Sequence, residues 1–214
     1  MPTSLRALLL AVLFTLAPVG AGVLLAGGPA PTAAPPPAYT GTDLDGFDTT
    51  ATAIARAGFC SRVVTEAVTE ALGGEAANAG VHVNGDRLAV AGERDVVHEY
   101  GCRFRGAGAR AEAWVFAPPV TTARARELTK GPAESLAEGT AGEGCRRLDD
   151  APAFGAPGGA VLCPDGKPSL TYAGLIGDAW LTCRLTLPAG TPVAELRTRA
   201  GRWCVAVVRA AAVA

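Results

Sequence analysis

The chain has two histidines, His82 and His98, so acid–base chemistry near neutral pH has few candidate residues. His98 and the glutamate after it begin like the HExxH zinc motif of proteases, but Cys102 stands where the second histidine is required. His98 shares the predicted apolar face of a strand with Cys102 and Phe104, so we expect it in the core. His82 flanks a predicted hairpin and is expected to be exposed. A hydrolase that uses His98 or His82 beside a carboxylate is the alternative.

The other side chains that could do chemistry lack the surroundings that the chemistry requires. None of the serines stands in the Gly-x-Ser-x-Gly context of a nucleophile elbow. Asp43, Asp45 and Asp48 lack the glycine and the glutamate spacing of a calcium loop. We expect Asp48 to cap a helical turn and Asp149-Asp150 to lie in a solvated turn. No glycine-rich phosphate loop is present, so the sequence predicts no catalytic, metal or cofactor site.

All six cysteines follow the apolar N-terminal stretch, and their even number predicts disulfide bonds in an oxidising, extracytoplasmic compartment. No Cys-x-x-Cys pair is present, so zinc sites and thioredoxin-like chemistry lack their spacing. Two cysteines fall on apolar faces of predicted helices and two on apolar faces of predicted strands, and a helix resting on a sheet brings such positions within bonding distance. Proximity in the sequence favours three bridges: Cys60–Cys102, Cys145–Cys163 and Cys183–Cys204.

Three aromatic residues, Trp114, Phe116 and Trp180, lie on strand faces opposite to those assigned to the core. The sequence leaves two interpretations of them open. Either a helix that begins near Thr122 covers them as a second small core, or they form an exposed apolar patch that binds a ligand or a protein partner.

The uncharged segment 7–26 is long enough to cross a bilayer as a helix. Arg6 precedes it and the next basic residue is Arg56, so the positive-inside rule places residues 1–6 in the cytoplasm and the rest outside. The sequence therefore predicts a single-pass protein of the cell membrane, with a Pro/Ala/Gly-rich linker over residues 27–43 and an extracytoplasmic domain over residues 44–214. A protein secreted after cleavage of a signal peptide is the alternative.

The charge balance limits the partners that the domain can have. The formal net charge is −1 and no basic stripe is present, so nucleic acid is not a predicted partner. The predicted partners are the membrane, through the single N-terminal span, and an unknown envelope protein or small ligand. Lys130 and Lys167 are the only lysines among 19 basic residues, a bias that is typical of high-GC actinobacterial genomes.

Helices and strands follow from the spacing of apolar residues. Helical spacing predicts a helix over residues 60–72, a second helix from Thr122, and a third that follows Thr191 as its N-cap. Asn84-Gly85 is expected to join two short strands in a hairpin. Alternation of apolar and polar residues predicts these strands: 81–83, 87–90, 96–105, 110–117, 160–163, 169–176 and 180–187.

Strands in clusters separated by helices predict an α+β fold, with an antiparallel sheet on which helices pack. A possible internal pseudo-repeat accompanies this pattern. Arg56-Ala57-Gly58 precedes Cys60 much as Arg199-Ala200-Gly201 precedes Cys204, and Cys102-Arg103-Phe104 resembles Cys183-Arg184-Leu185. Coincidence in a chain rich in Ala, Arg and Val is the other explanation.

The sequence also resembles a group of known proteins over residues 58–105. Cys60 opens a predicted helix that ends in Ala71-Leu72-Gly73-Gly74, and Tyr100-Gly101-Cys102-Arg103-Phe104 follows on a strand. This pattern resembles small actinobacterial extracytoplasmic domains of unknown function, membrane-anchored or secreted, and loosely the extracellular sensor domains of mycobacterial Ser/Thr kinases. The present chain differs from them in its third cysteine pair and in having no lipobox or kinase domain. The resemblance implies a binding or sensing role and supplies no functional residues.

The sequence as a whole predicts a membrane-anchored binding or sensor-like domain that is not an enzyme. Besides the hydrolase, a structural cell-envelope interaction protein is an alternative. That third possibility depends on Trp114, Phe116 and Trp180 forming a flat, exposed patch.

Overall fold

The structure is a computed structural model that describes residues 39–90, 93–130 and 144–213. From Tyr39 onward the chain forms one compact unit. Its described strands form a seven-stranded antiparallel sheet and a separate two-stranded ribbon, and three α-helices pack on the sheet. The α+β fold predicted from the sequence is confirmed.

Nine strands are described. Those of the sheet run in the spatial order β1-β4-β5-β9-β8-β7-β6, and every pair of neighbours is antiparallel. The strands are β1 Asn78–His82, β2 Arg87–Val90, β3 Glu93–Val96, β4 Glu99–Gly106, β5 Ala109–Phe116, β6 Arg146–Arg147, β7 Gly158–Cys163, β8 Ser169–Ile176 and β9 Ala179–Thr186.

The turn at Asn84-Gly85 forms, but it does not join a hairpin, so that prediction is wrong. Gly85 adopts a φ of +96°, and the amide of Asp86 donates to the carbonyl of Val83 at 3.0 Å. The strand before the turn, β1, pairs with β4, whereas β2 pairs with β3 in the separate ribbon. Turn chemistry is local, but the choice of pairing partner depends on the rest of the sheet.

The three helices are α1 Thr65–Leu72, α2 Thr122–Lys130 and α3 Val193–Ala211. The first helix begins later than predicted, because Val63 and Val64 adopt extended conformations and Cys60–Arg62 forms a separate 3₁₀ turn. It ends as predicted, with Gly73 in the left-handed region. Thr191 does not cap α3; its hydroxyl donates to the carbonyl of Pro188 and the helix begins after Pro192.

The two faces of the sheet are covered by different helices. On one face, α3 packs on β8 and β9 and α1 packs on β4 and β5, and the main hydrophobic core lies between them. On the other face, α2 packs on β7 and β8 over a second, smaller core. Alternation along each strand divides the side chains between these faces, which we call the α3 face and the α2 face.

Three disulfide bonds join the pairs that the sequence analysis predicts. Cys60–Cys102 ties the 3₁₀ turn before α1 to β4, and Cys183–Cys204 ties β9 to α3. Cys145–Cys163 closes the segment between β6 and β7. Two of the three bridges therefore link a helical element to the sheet beneath it, as the apolar-face positions of these cysteines require.

The order of the strands has an approximate two-fold arrangement: β1-β4-β5 lies on one side and β7-β8-β9 on the other, with β5 and β9 adjacent at the centre. The sequence segments proposed as a repeat do not occupy equivalent places in it. Cys102 lies on the first strand of the hairpin β4–β5, whereas Cys183 lies on the second strand of the hairpin β8–β9.

The predicted membrane span, residues 7–26, and most of the predicted linker lie outside the described residues. In the part of the chain that the structure describes, no helix is both long and apolar enough to cross a bilayer. The last residues of the linker are held on the domain. The amide of Gly41 donates to Glu70 at 3.1 Å, and Asp43 accepts from Arg202 at 2.7 Å.

Candidate functional site

His98 is exposed and does not lie in the core, so that prediction is wrong. Residues 97–98 form a link between β3 and β4, and the carbonyl of His98 accepts from the amide of Ala117. The alternation that places Cys102 inside therefore stops at Glu99, where β4 begins. His98 lines a shallow hollow of about 400 Å³ with Phe116 and Pro118.

His82 is only partly exposed, although the sequence predicts an exposed side chain, and its ring has a carboxylate partner. Its Nε2 lies 2.8 Å from Oε1 of Glu99, across strands β1 and β4. Gly101 is the cross-strand neighbour of His82, and a Cβ at Gly101 would collide with the imidazole ring. The glycine therefore gives the ring room to lie against the sheet.

The three aromatic residues do not form an exposed patch. Trp180 is 3% exposed and lies in the second core with Val120 and Ala125 of the α2 region, and Phe116 packs against that core. Trp114 is 8% exposed and lies beneath the guanidinium of Arg184, 5.6 Å from the ring centre. The hypothesis of a structural envelope-interaction protein required an exposed aromatic patch, and these three residues do not form one.

A small recess lies on the α2 face of the sheet, between β1, β4, β5 and β9. Its volume is about 150 Å³. The Nε of Arg103 donates to Glu112 at 2.6 Å, and that carboxylate is almost fully buried. The lining residues of this recess are His82, Glu99, Cys102, Arg103, Glu112, Trp114 and Arg184.

A cavity lies on the α3 face, between the start of the domain, the segment before β7 and the first half of α3. Its volume is about 460 Å³, and we call it the cleft. Its floor is apolar, with Leu44, Leu148 and Pro152, and its walls carry charged groups and hydroxyls. The polar lining residues are Asp43, Asp45, Asp150, Tyr172, Arg197, Thr198 and Arg202.

Two arginines of α3 hold carboxylates around the cleft. Arg197 donates through both terminal nitrogens to the two oxygens of Asp150, at 2.9 Å each. Arg202 donates to Asp43 at 2.7 Å and to Glu70 at 2.9 Å. Both arginines belong to the first half of α3, and both line the cleft. Asp149 and Asp150 form an exposed turn, as the sequence predicts, and the carboxylate of Asp150 also pairs with Arg197.

The electrostatic surroundings of the cleft keep its charges fixed near neutral pH. The hydrogen bonds that Arg197 donates to Asp150 hold the pKa of that carboxyl below its usual range and raise the pKa of Arg197. The carboxylates of Asp43 and Glu70 raise the pKa of Arg202. Asp48, outside the cleft, accepts from the amide and hydroxyl of Thr50, as the sequence predicts for a cap, and its pKa is lowered.

Tyr172 lines the cleft from strand β8 and is 2% exposed. Burial raises the pKa of its hydroxyl to about 12, with Asp45 and Asp150 adding to the rise and Arg197 opposing it. Among the described residues, no group hydrogen-bonds to this hydroxyl. A hydroxyl that lines the cleft without a partner among these residues can hydrogen-bond to a ligand there.

The sequence analysis missed the cleft because its residues come from distant parts of the chain. Asp43, Asp150, Tyr172 and Arg197 show no motif, and the ion pair of Arg197 joins residues 47 apart. The available signal was the presence of two arginines, Arg197 and Arg202, on one predicted helix, together with carboxylates in two turn segments. No group of histidine, cysteine and carboxylate side chains in the described ranges could hold a metal ion.

Neither the scan against protein-family models nor the search of curated proteins finds a match to this chain.

Proposed function

We propose that the chain is an extracytoplasmic binding domain, tethered to the membrane through residues 7–26, that takes a small, positively charged polar ligand in the cleft. The observation that carries this proposal is Tyr172, a buried side chain whose hydroxyl lines the cleft and has no hydrogen-bond partner among the described residues. The volume of about 460 Å³ lies within the range of small-molecule sites.

The charges of the lining favour a cationic ligand over an anionic one. Three carboxylates line the cleft, and its two guanidiniums are already bound to Asp43 and Asp150. Asp45 has no ion-pair or hydrogen-bond partner within the described ranges. An ammonium group could therefore pair with Asp45 without breaking an existing ion pair, while hydroxyls of the ligand meet Tyr172 and Thr198.

The direction of the pKa shifts supports binding rather than acid–base catalysis in the cleft. The pKa of Asp150 is lowered, and the pKa values of Tyr172, Arg197 and Arg202 are raised. Each of these shifts moves a group away from neutrality, whereas a general acid or base works best with a pKa near the ambient pH.

The test compares three sugars of similar size by isothermal titration calorimetry on the full chain in detergent micelles: glucosamine, glucose and glucuronate. We expect glucosamine to bind most tightly, and Asp45→Asn to weaken its binding roughly tenfold, the equivalent of one charge-assisted hydrogen bond. Asp165→Asn, which changes an exposed carboxylate that does not line the cleft, is the matched control. Equal binding of glucuronate, or no effect of Asp45→Asn, would contradict the proposal.

A hydrolase is the second candidate function, and the bond between His82 and Glu99 favours it. A carboxylate that accepts from one ring nitrogen orients the imidazole, so the other nitrogen can act as a general base on water. Among the described lining residues of the recess, the only cysteine is Cys102, whose sulfur is bonded to Cys60 in a disulfide and is no nucleophile. Hydrolysis would therefore proceed by direct attack of water.

The two candidates differ in a simple assay of p-nitrophenyl ester hydrolysis. For a binding domain, we expect no hydrolysis above that of buffer with any variant. Hydrolysis that is abolished by His82→Gln and retained by His98→Gln would establish the second candidate, since His98 is exposed and has no described carboxylate partner.

A further inference from the structure

Arginines are concentrated on the α2 face of β4, β5 and β9. Arg103, Glu112 and Arg184 are direct cross-strand neighbours in one row. Arg105 and Arg110 are direct neighbours in the next row, two residues along each strand. Because side chains alternate between faces, all five of these side chains lie on the same side of the sheet.

The positive charges of this surface exceed the negative ones. Glu112 is the carboxylate that the arginines share: Arg103 contacts it at 2.6 Å and Arg110 lies 3.9 Å away. The other carboxylate of the recess, Glu99, accepts from His82. No described carboxylate pairs with the guanidinium of Arg105, which stands directly opposite Arg110. Like charges in this position destabilise a sheet unless an anion lies between them.

The recess beside these arginines also contains a buried donor without an acceptor. The indole Nε1 of Trp114 is shielded from solvent and has no hydrogen-bond partner. A buried polar group in this state is destabilising, so its presence at the recess requires an explanation. An oxygen atom of a ligand placed in the recess would accept from this donor.

We propose that this surface is a second binding site, which takes a phosphate group at the recess. Arg103 and Trp114 line the recess, Arg105 and Arg110 lie in the next row of the same face, and the indole N–H of Trp114 has no acceptor. A guanidinium group can donate two parallel hydrogen bonds to two oxygens of one phosphate. The recess, at about 150 Å³, accommodates one phosphate group but no large ligand. The site lies on the opposite face of the sheet from the cleft, so it does not rest on the proposed function.

The phosphate could belong to a soluble ligand or to a lipid headgroup, and two probes separate these sources. The first is inorganic phosphate, and the second is short-chain phosphatidylglycerol below its micellar concentration. Both are titrated into the ¹⁵N-labelled full chain in a zwitterionic detergent at low salt, and the indole N–H resonance of Trp114 is followed. Trp114→Phe identifies that resonance.

We expect inorganic phosphate to shift the Trp114 indole resonance, with an affinity that falls as salt is raised. Arg105→Gln combined with Arg110→Gln should weaken this binding at least tenfold, and both side chains are exposed enough that folding is unaffected. Arg146→Gln, on the far edge strand and the other face, is the control and should bind as the unchanged protein does.

Three results would overturn the proposal. One is the absence of any shift with either probe, and another is an equal loss of affinity in the double variant and the Arg146→Gln control, which would indicate unspecific charge attraction. The third is a shift that leaves the Trp114 indole unaffected, which would place the anion elsewhere. Binding of phosphatidylglycerol much tighter than phosphate, lost in the double variant, would support the site and assign it to a lipid.

Discussion

The indole Nε1 of Trp203 donates a hydrogen bond to the main-chain carbonyl of Glu112, at 3.1 Å. Trp203 lies on α3 and is 1% exposed, whereas the side chain of Glu112 lies on the opposite face of the sheet and lines the recess. This bond therefore fastens the C-terminal helix to the strand that carries the recess. The ring of Phe104 packs edge-on against Trp203, with 5.9 Å between ring centres.

The first prediction concerns this bond. Trp203→Phe keeps a ring in the core but removes the donor and part of the volume, so we expect the free energy of unfolding to fall by about 2–3 kcal/mol. Urea unfolding under non-reducing conditions measures the change. Phe104→Leu, which removes the ring contact and keeps the hydrogen bond, should cost only about 1 kcal/mol. If both variants lost the same free energy of unfolding, the hydrogen bond from Trp203 to Glu112 would not have the expected contribution.

The second prediction is a loss of stability at alkaline pH that depends on Tyr172. Burial raises its pKa in the folded protein to about 12, above the ordinary tyrosine value of 10, so the folded state favours the neutral hydroxyl. The stabilisation is complete below pH 10 and is lost as the pH rises toward 12, by about 3 kcal/mol in all.

Unfolding free energies measured across this pH range check the prediction, with Tyr172→Phe beside the unchanged protein. The variant should lose much of the alkaline decline, because a phenylalanine has no proton to release. Tyr39, whose pKa is also raised, serves as the control through Tyr39→Phe. A decline that is identical in the unchanged protein and in Tyr172→Phe would show that Tyr172 is not its source.

The third prediction separates a core residue from a binding patch. Trp180 is buried beneath α2, so Trp180→Ala should lower the free energy of unfolding by about 3–5 kcal/mol. Phe116→Ala should cost clearly less, since that side chain is only half-buried. Chemical denaturation gives both values. A Trp180→Ala variant as stable as the unchanged protein would restore the interpretation of these residues as an exposed patch.

The fourth prediction concerns the bridge between Cys145 and Cys163, which are 18 residues apart. Replacing both with alanine should lower the free energy of unfolding by about 3 kcal/mol, because the unfolded chain regains the freedom of this loop. Peptide mapping without reduction should recover all three predicted pairs in the unchanged protein. A free thiol at any cysteine would contradict the complete pairing.

Much of the fold could be predicted because it depends on local patterns. Alternation over β8 and β9 determines which side chains enter the core, and the same alternation places Cys183 on the face that α3 covers. The spacing of apolar residues along α3 likewise determines its buried side. Those faces make bridges between a helix and the sheet possible, and proximity in the sequence then selects the three pairs that the structure shows.

The positions of the histidines show where local patterns stop. His98 follows the alternation of β4 in sequence, but the strand begins only at Glu99, so the residue lies in a link and is exposed. His82 finds its partner Glu99 through the pairing of β1 with β4, which the turn at Asn84-Gly85 does not specify. The register between strands distant in sequence is a property of the assembled sheet.

What the sequence determined by itself was the class of fold, the face of each strand and helix that is buried, and the cysteine pairs, because side-chain period and hydrophobic burial act over a few residues. Only the tertiary structure decided which helix covers which face and which polar groups meet. The cleft joins Asp43, Asp150, Tyr172 and Arg197, and the recess joins Arg103, Glu112 and Trp114. Such groups come together through long-range packing, and no spacing along the chain encodes that contact.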